Sequence, residues 1–264
     1  MASSDSLGSM ALQLVSDLHV DVAGALPAFA VHADTLCIAG DIAAADDDGY
    51  TNTLRKASEA HARVLVIPGN HEFYGGSHDS ASKDMLEAVA DLSNVSLLHN
   101  GSVEIRGRRI IGSVLWTVPN ARLRRHVSDH KQIVDYSSKG CDWAAADAAY
   151  VREQVDQCAV AGHRAIVLSH FPPLQCSGDV ARFGAVTPRT AHEGWYARRH
   201  HDLQEYFYHG DMDATVAKVH TWMYGHTHAG SRDVHSGCVL VSNPMGYPYE
   251  ARVSGYSPSC VVHV

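Results

Sequence analysis

Residues 63 to 76 read RVLVIPGNHEFYGG, from Arg63 to Gly76. Val64, Leu65, Val66 and Ile67 form a short uninterrupted apolar run, which predicts a strand buried on both faces, and Pro68-Gly69 breaks it. Asn70, His71 and Glu72 follow at once. Polar groups at the mouth of a core strand need a partner, because leaving them unsatisfied is costly. The same grammar recurs along the chain: LQLVSDLH ends in Asp17 and His19, TLCIAGD in Asp41, AIVLSH in His170, and WMYGHTH in His226 and His228. In open α/β sheets ligands bind outside the carboxyl ends of strands, so these five segments predict one polar rim.

Outward from that stretch, apolar runs suited to buried strands lie at Ala11 to Val15, Thr35 to Ala39, Ala165 to Leu168, His220 to Tyr224 and Cys238 to Val241. Helix formers gather between them, at Thr51 to Ala62, Ser82 to Leu92 and Asp142 to Ala161, with Gly162 placed to end the last. Alternating strands and helices predict an α/β architecture. Between Asn94 and Trp116, Asn100-Gly101 and Gly107 separate β-rich segments and read as consecutive hairpins. Residues 119–140 and 172–213 lack core periodicity and read as loop insertions in a single domain spanning 10–264. The polar residues 1–9 read as a disordered extension or cloning scar.

Composition narrows the function. Of the 264 residues, 45% are hydrophobic and 19% charged, ordinary values for a folded protein. No apolar stretch approaches the ~18 to 20 residues of a membrane span. A net charge of -8 speaks against nucleic acid or anionic lipid as partner. Six cysteines without a CxxC pair suggest neither a zinc ribbon nor a disulfide scaffold, and with no basic-then-apolar leader in the sequence they predict a cytoplasmic protein. The unusual count is 19 histidines, since imidazole is both a metal ligand and an acid or base near neutral pH.

Asp17 and His19, like His226 and His228, are two residues apart, and in extended chain that spacing sends both side chains to one side. By the same rule Asn70 serves as a ligand while His71 points elsewhere and stays free for chemistry. Asp17, Asp41 and Asn70 with His19, His170, His226 and His228 are too many donors for one tetrahedral zinc. They suit two metals sharing a ligand, and an aspartate can bridge. Two dications against two carboxylates and a bridging hydroxide leave about one positive charge, which draws a phosphate ester despite the acidic surface. Taken singly, an Asp-x-His is more often a surface turn and a strand-end aspartate a helix cap; the ordered set is what those explanations do not supply.

The series SDLH, GD, GNHE, SH and GHTH, in that order, resembles the calcineurin-like metallophosphoesterase superfamily over residues 11 to about 230. The resemblance implies a four-layer α-β-β-α sandwich with a dinuclear centre at the sheet rims. It implies that Asp17, His19, Asp41 and His228 hold one metal and Asp41, Asn70, His170 and His226 the other. Manganese, iron or zinc fit such a donor set. The expected activity is hydrolysis of phosphomono- or phosphodiesters of small molecules or nucleotides, with a metal-bridging hydroxide as nucleophile and His71 protonating the leaving group. Glu72 is expected to hold the loop or a ligand. Ala44 stands where Ser/Thr phosphatases carry the carboxylate that orients the catalytic histidine and where purple acid phosphatases carry a tyrosine, so both activities are disfavoured. Asp46, Asp47 and Asp48 could replace that carboxylate or form a solvated turn. Arg122, Arg125, Arg198 and Arg199 are candidates for gripping substrate; Tyr74 and Trp116 either line the cleft or pack in the core. The alternatives are a nuclease, which needs a basic track, and a non-catalytic scaffold binding a partner protein.

Overall fold

The structure is a computed structural model that describes residues 9–24, 28–120, 124–174 and 207–264. Among the described residues eleven strands and six helices follow one another as β1 (Ala11–Val15), α1 (Val20–Ala23), β2 (Thr35–Ala39), α2 (Asp48–Ala60), β3 (Arg63–Ile67), α3 (His78–Val89), β4 (Val95–Leu97), β5 (Gly101–Ile105), β6 (Arg108–Ser113), α4 (Asp129–Gln132), α5 (Tyr136–Val160), β7 (Ala165–Ser169), α6 (Asp213–Val216), β8 (Val219–Tyr224), β9 (Ser231–His235), β10 (Cys238–Ser242) and β11 (Val261–His263). They form two mixed sheets, one of order β11-β1-β2-β3-β4 and one of order β5-β6-β7-β8-β10-β9.

Apolar runs dictate the layering, because each central strand is covered on both faces and its successive residues enter different cores. In β2, Leu36 and Ile38 pack with Tyr50 and Leu54 of α2 and Met85 of α3. Cys37 and Ala39 point the other way and meet Ile166 and Leu168 of β7 between the sheets. Ala165 and Val167 of β7 instead join Val151 and Val155 of α5 and Val216 of α6. The result is the expected four-layer α-β-β-α sandwich. Among the described residues no helix is long and apolar enough to cross a membrane.

The expected pair of hairpins is corrected. β5 and β6 form a hairpin through Arg106 (φ 50°) and Gly107 (φ 72°), the two positive values a two-residue type I′ turn demands. Asn100-Gly101 is not a hairpin turn. β4 pairs in parallel with β3 in the first sheet, whereas β5 belongs to the second, so the chain crosses between layers there. In the stretch read as lacking core periodicity, residues 119–140, the segment from Asp129 onward is structured: Asp129, Ile133 and Tyr136 are buried, and α5 begins at Tyr136. Most of the stretch 172–213 lies outside the described residues.

For the site, the decisive feature is that β1, β2 and β3 of one sheet and β7 and β8 of the other end at the same rim. Backbone bonds tie neighbouring strand ends within each sheet: Asp17 N–H donates to Gly40 O at 2.9 Å, and Gly225 N–H to His170 O at 3.0 Å.

Candidate metal centre

Seven side chains converge at that rim. Asp17, His19, Asp41 and His228 bring donor atoms within 4.8 Å of one another, and Asp41, His170 and His226 do the same. Asp41 belongs to both groups. Asn70 joins the second, its Oδ1 lying 3.0 Å from His170 Nε2.

Convergence comes from a backbone that the extended-strand argument misread. Asp17, His19, Asp41, His226 and His228 all have positive φ, between 43° and 67°, so none continues its strand. They are five of the ten non-glycine residues with positive φ among the described residues. Left-handed single residues turn the ends of β1, β2 and β8 inward, a strained arrangement that side chains must hold in place, whereas Asn70 after β3 stays right-handed at φ -79°. Asp17 does part of this: His226 N–H donates to its Oδ1 and Oδ2 at 3.0 and 3.1 Å. Asp41 Oδ1 accepts from His71 N–H at 2.9 Å. Glu72, fully buried, accepts from the N–H groups of Asp41 (3.0 Å), Ile42 (2.7 Å) and Gly69 (2.7 Å), fixing the second and third strand ends together as expected of a loop-holding residue. Gly69 must lack a side chain, because a Cβ there would run into Asp41 Oδ1 and lie 2.7 Å from His170 Cε1.

His71 also departs from expectation. It does not point elsewhere; its ring lies 4.4 Å from that of His19, and its Nε2 is 4.0 Å from Asp41 Oδ2. Residues 71–73 form a single 3₁₀ turn, so the alternation of a strand does not apply after Pro68.

Three supporting residues escaped the sequence reading. Glu250 Oε2 lies 2.6 Å from His228 Nδ1. Asp129 Oδ1 accepts from Asn70 Nδ2 at 2.9 Å, which turns the Asn70 carbonyl oxygen toward His170. Tyr247 stacks on His19, ring centroids 4.3 Å apart, and its Oη is 3.3 Å from His71 Nε2. Only a cluster of aromatic and acidic residues after Asn243-Pro244, GYPYE, hinted at the last loop, and it had no motif spacing. Tyr74 contacts the site, its hydroxyl donating to Asp129 at 2.9 Å, whereas Trp116 is fully buried in the core. Asp46, Asp47 and Asp48 are exposed and start α2, Asp47 accepting from Gly49 N–H at 2.6 Å, so they form a capped turn. Arg122, Arg198 and Arg199 lie outside the described residues. Arg125 is exposed, its carbonyl accepting from Lys131 at 3.3 Å.

Does this donor set fit cations? His170 Nδ1 faces the Ala39 carbonyl at 2.8 Å, so that nitrogen carries the proton and Nε2 is aimed at Asp41 and Asn70 oxygens. His228 is held likewise by Glu250, and its Nε2 sits 2.9 Å from His19 Nε2 and 3.4 Å from Asp17 Oδ1. His19 Nδ1 is buried with no hydrogen-bond partner among the described residues. Acceptor atoms thus face acceptor atoms, around buried carboxylates that require positive charge. The ionisation shifts carry the same demand. Burial works to lower His170 and His228, yet the Asp41 charge raises the first to about 9, and hydrogen bonds to Asp17 and Glu250 raise the second to about 10. Burial takes His19 down to about 3, leaving it neutral. Burial and the Asp41 charge push Glu72 up to about 8, against the three backbone donors that favour its carboxylate. These buried aspartates and histidines could bind metal ions; oxygen and imidazole donors in this mixture suit metals of intermediate hardness.

Comparison with known proteins agrees with the architecture. No protein-family model matches the chain. An uncharacterized protein of Acanthamoeba polyphaga mimivirus is 24% identical over 236 residues, which cover 81% of this chain and 79% of that one. The crystal structure of phosphopantetheinyl hydrolase (PptH) from Mycobacterium tuberculosis superposes with a TM-score of 0.68 at 16% identity, covering 98% of this chain and 96% of that one. At such identity the likeness defines a shared phosphoesterase-type fold.

Proposed function

We propose that this chain is a calcineurin-like metallophosphoesterase that hydrolyses phosphomono- or phosphodiesters of small molecules or nucleotides. The observation that carries the reading is the sharing of buried Asp41 by two groups of metal-ligand side chains, with His71 beside it. In this reading Asp17, His19, Asp41 and His228 would hold one divalent cation, and Asp41, Asn70, His170 and His226 a second. Two such ions supply Lewis acidity toward a phosphoryl group and activate water near neutral pH.

The chain's own residues do the rest. Asp17 and Asp41 neutralise part of the cation charge, and the neutral amide and imidazole donors leave a net positive site for a phosphate ester. His71, 12% exposed where Asp17, His19 and His170 are fully buried, protonates the leaving oxygen. Glu250, Asp129 and the Ala39 carbonyl fix which atom each ligand presents. The fold shared with PptH adds a phosphopantetheinyl ester to the substrates worth testing.

The test is metal analysis combined with a panel of phosphomonoesters, phosphodiesters and cyclic nucleotides, after loading with manganese, iron or zinc. About two metal equivalents and hydrolysis of at least one ester are expected, with both lost in Asp41→Asn. Full hydrolysis by Asp41→Asn would refute the shared ligand. A silent panel with metals bound would favour a scaffold.

A further inference from the structure

Resting on that reading, we propose that Tyr247 is a further catalytic residue, whose phenolic hydroxyl donates a hydrogen bond to the same ester oxygen that His71 protonates. The placement of the hydroxyl is the reason. Tyr247 Oη lies 3.3 Å from His71 Nε2, and that nitrogen faces Asp41 Oδ2 at 4.0 Å. The phenol therefore lies beside the nitrogen that faces the carboxylate common to the two ligand groups. A substrate oxygen near enough to take a proton from Nε2 is within reach of the phenol.

The ring is held for this task. Its face stacks on His19 at 24° and a 4.3 Å centroid separation, and its edge meets His228 at 4.9 Å. Tyr249 also stacks on it, at 5.5 Å. The backbone is tied as firmly: Tyr247 N–H donates to Glu250 Oε2 at 2.9 Å, and Gly246 N–H to Asp17 O at 3.0 Å. A donor fixed before substrate arrives costs no reorganisation when charge develops on the leaving oxygen.

The step balances without oxidant or extra reactant. Water contributes its oxygen to phosphorus and releases one proton. The ester P–O bond breaks, the leaving oxygen keeps the bonding pair and takes the proton from His71 Nε2, and the released proton restores His71. Tyr247 keeps its own proton throughout and serves only as hydrogen-bond donor.

The test compares Tyr247→Phe with the wild-type protein, both manganese-loaded, on paired esters with an alkyl alcohol and 4-nitrophenol as leaving groups. Phenylalanine keeps the stack on His19 and removes only the hydroxyl. Expected is a fall in kcat of roughly 10- to 100-fold on the alkyl ester and under about threefold on the nitrophenyl ester, whose leaving group needs little protonation. KM and metal content should stay at wild-type values. In a His71→Ala background the same substitution should cost under about twofold, because the two groups serve one oxygen. Equal losses on both esters, no loss, or a loss of bound metal would overturn the assignment. Wild-type protein that binds metal yet cleaves neither ester would instead bring down the functional reading itself.

Discussion

Replacing Glu250 should weaken one cation site and spare the other. Its Oε2 accepts from His228 Nδ1 at 2.6 Å and from Tyr247 N–H at 2.9 Å, in a pocket where the residue is 7% exposed. The first contact fixes the His228 tautomer and raises the basicity of Nε2, the atom that would bind metal. Loss of such an orienting carboxylate lowers metal affinity about 10- to 100-fold, or about 1.4 to 2.7 kcal/mol. That matches the ~1.5 to 3 kcal/mol of a hydrogen bond to a charged group. Glu250→Ala should show the full effect. Glu250→Gln keeps an oxygen that can accept from both donors, loses only the charge, and should cost about 3- to 10-fold. Competition against a chelator, fitted for two binding constants, separates the sites. The constant for the group of Asp17, His19, Asp41 and His228 should fall, and that for Asn70, His170 and His226 with Asp41 should stay within about threefold. If both constants fall together, if neither moves, or if Gln is as damaging as Ala, the orienting role is wrong.

Two further expectations concern the fold. Gly69→Ala puts a Cβ against Asp41 and His170, while Gly75→Ala meets nothing within 4 Å and suffers only from its φ of 81°. Thermal unfolding should show about 1 to 2 kcal/mol lost for Gly75→Ala and clearly more, beyond roughly 3 kcal/mol, for Gly69→Ala; equal losses would mean that the rim yields to the added methyl. Asp147, buried beneath Asn100 Nδ2 (2.7 Å) and Trp116 N–H (3.2 Å), is raised by burial to about 6. Because its folded value exceeds the unfolded one, its contribution is fully present below about pH 4 and lost as pH rises through 6, roughly 3 kcal/mol in all. Urea unfolding of metal-free protein at pH 4.5 and 7.5 should show wild type losing about 2 kcal/mol relative to Asp147→Asn, because the unfolded carboxyl is already largely ionised at pH 4.5, and parallel pH dependences would refute the shift.

Which parts of this molecule were readable in advance follows from the range of the forces involved. β1 and β2 fall on the very residues of their apolar runs, since a strand covered on both faces leaves a continuous signal in a handful of neighbouring residues. The split between β4 and β5 was not readable, because Asn100-Gly101 gives the same local turn chemistry whether the next strand returns to its neighbour or crosses to another sheet. Asp129, Tyr247 and Glu250 were missed for a similar reason. Each acts on a ligand far off in sequence, 59 residues away for Asp129 and Asn70, and no spacing rule relates them.

The seven clustered side chains were singled out for a reason only partly right. The expectation that Asp17 and His19 share a side because strands alternate is contradicted by their φ values of 53° and 43°. What aligns them is a reversal of the backbone at each strand end, and a reversal at a non-glycine residue carries a penalty of about 1 to 2 kcal/mol. Five such residues, the two carboxylates and three imidazoles beside them, gather at one point, and Asp17, Asp41 and Glu72 accept hydrogen bonds from backbone N–H groups that hold the turns. A rim built for stability alone would place glycine there, as the chain does at Gly40 and Gly75. Keeping side chains with nitrogen and oxygen donors in left-handed positions, while glycine fills the gaps between them, is the pattern of a site in which strain has been accepted to aim those donors at one another.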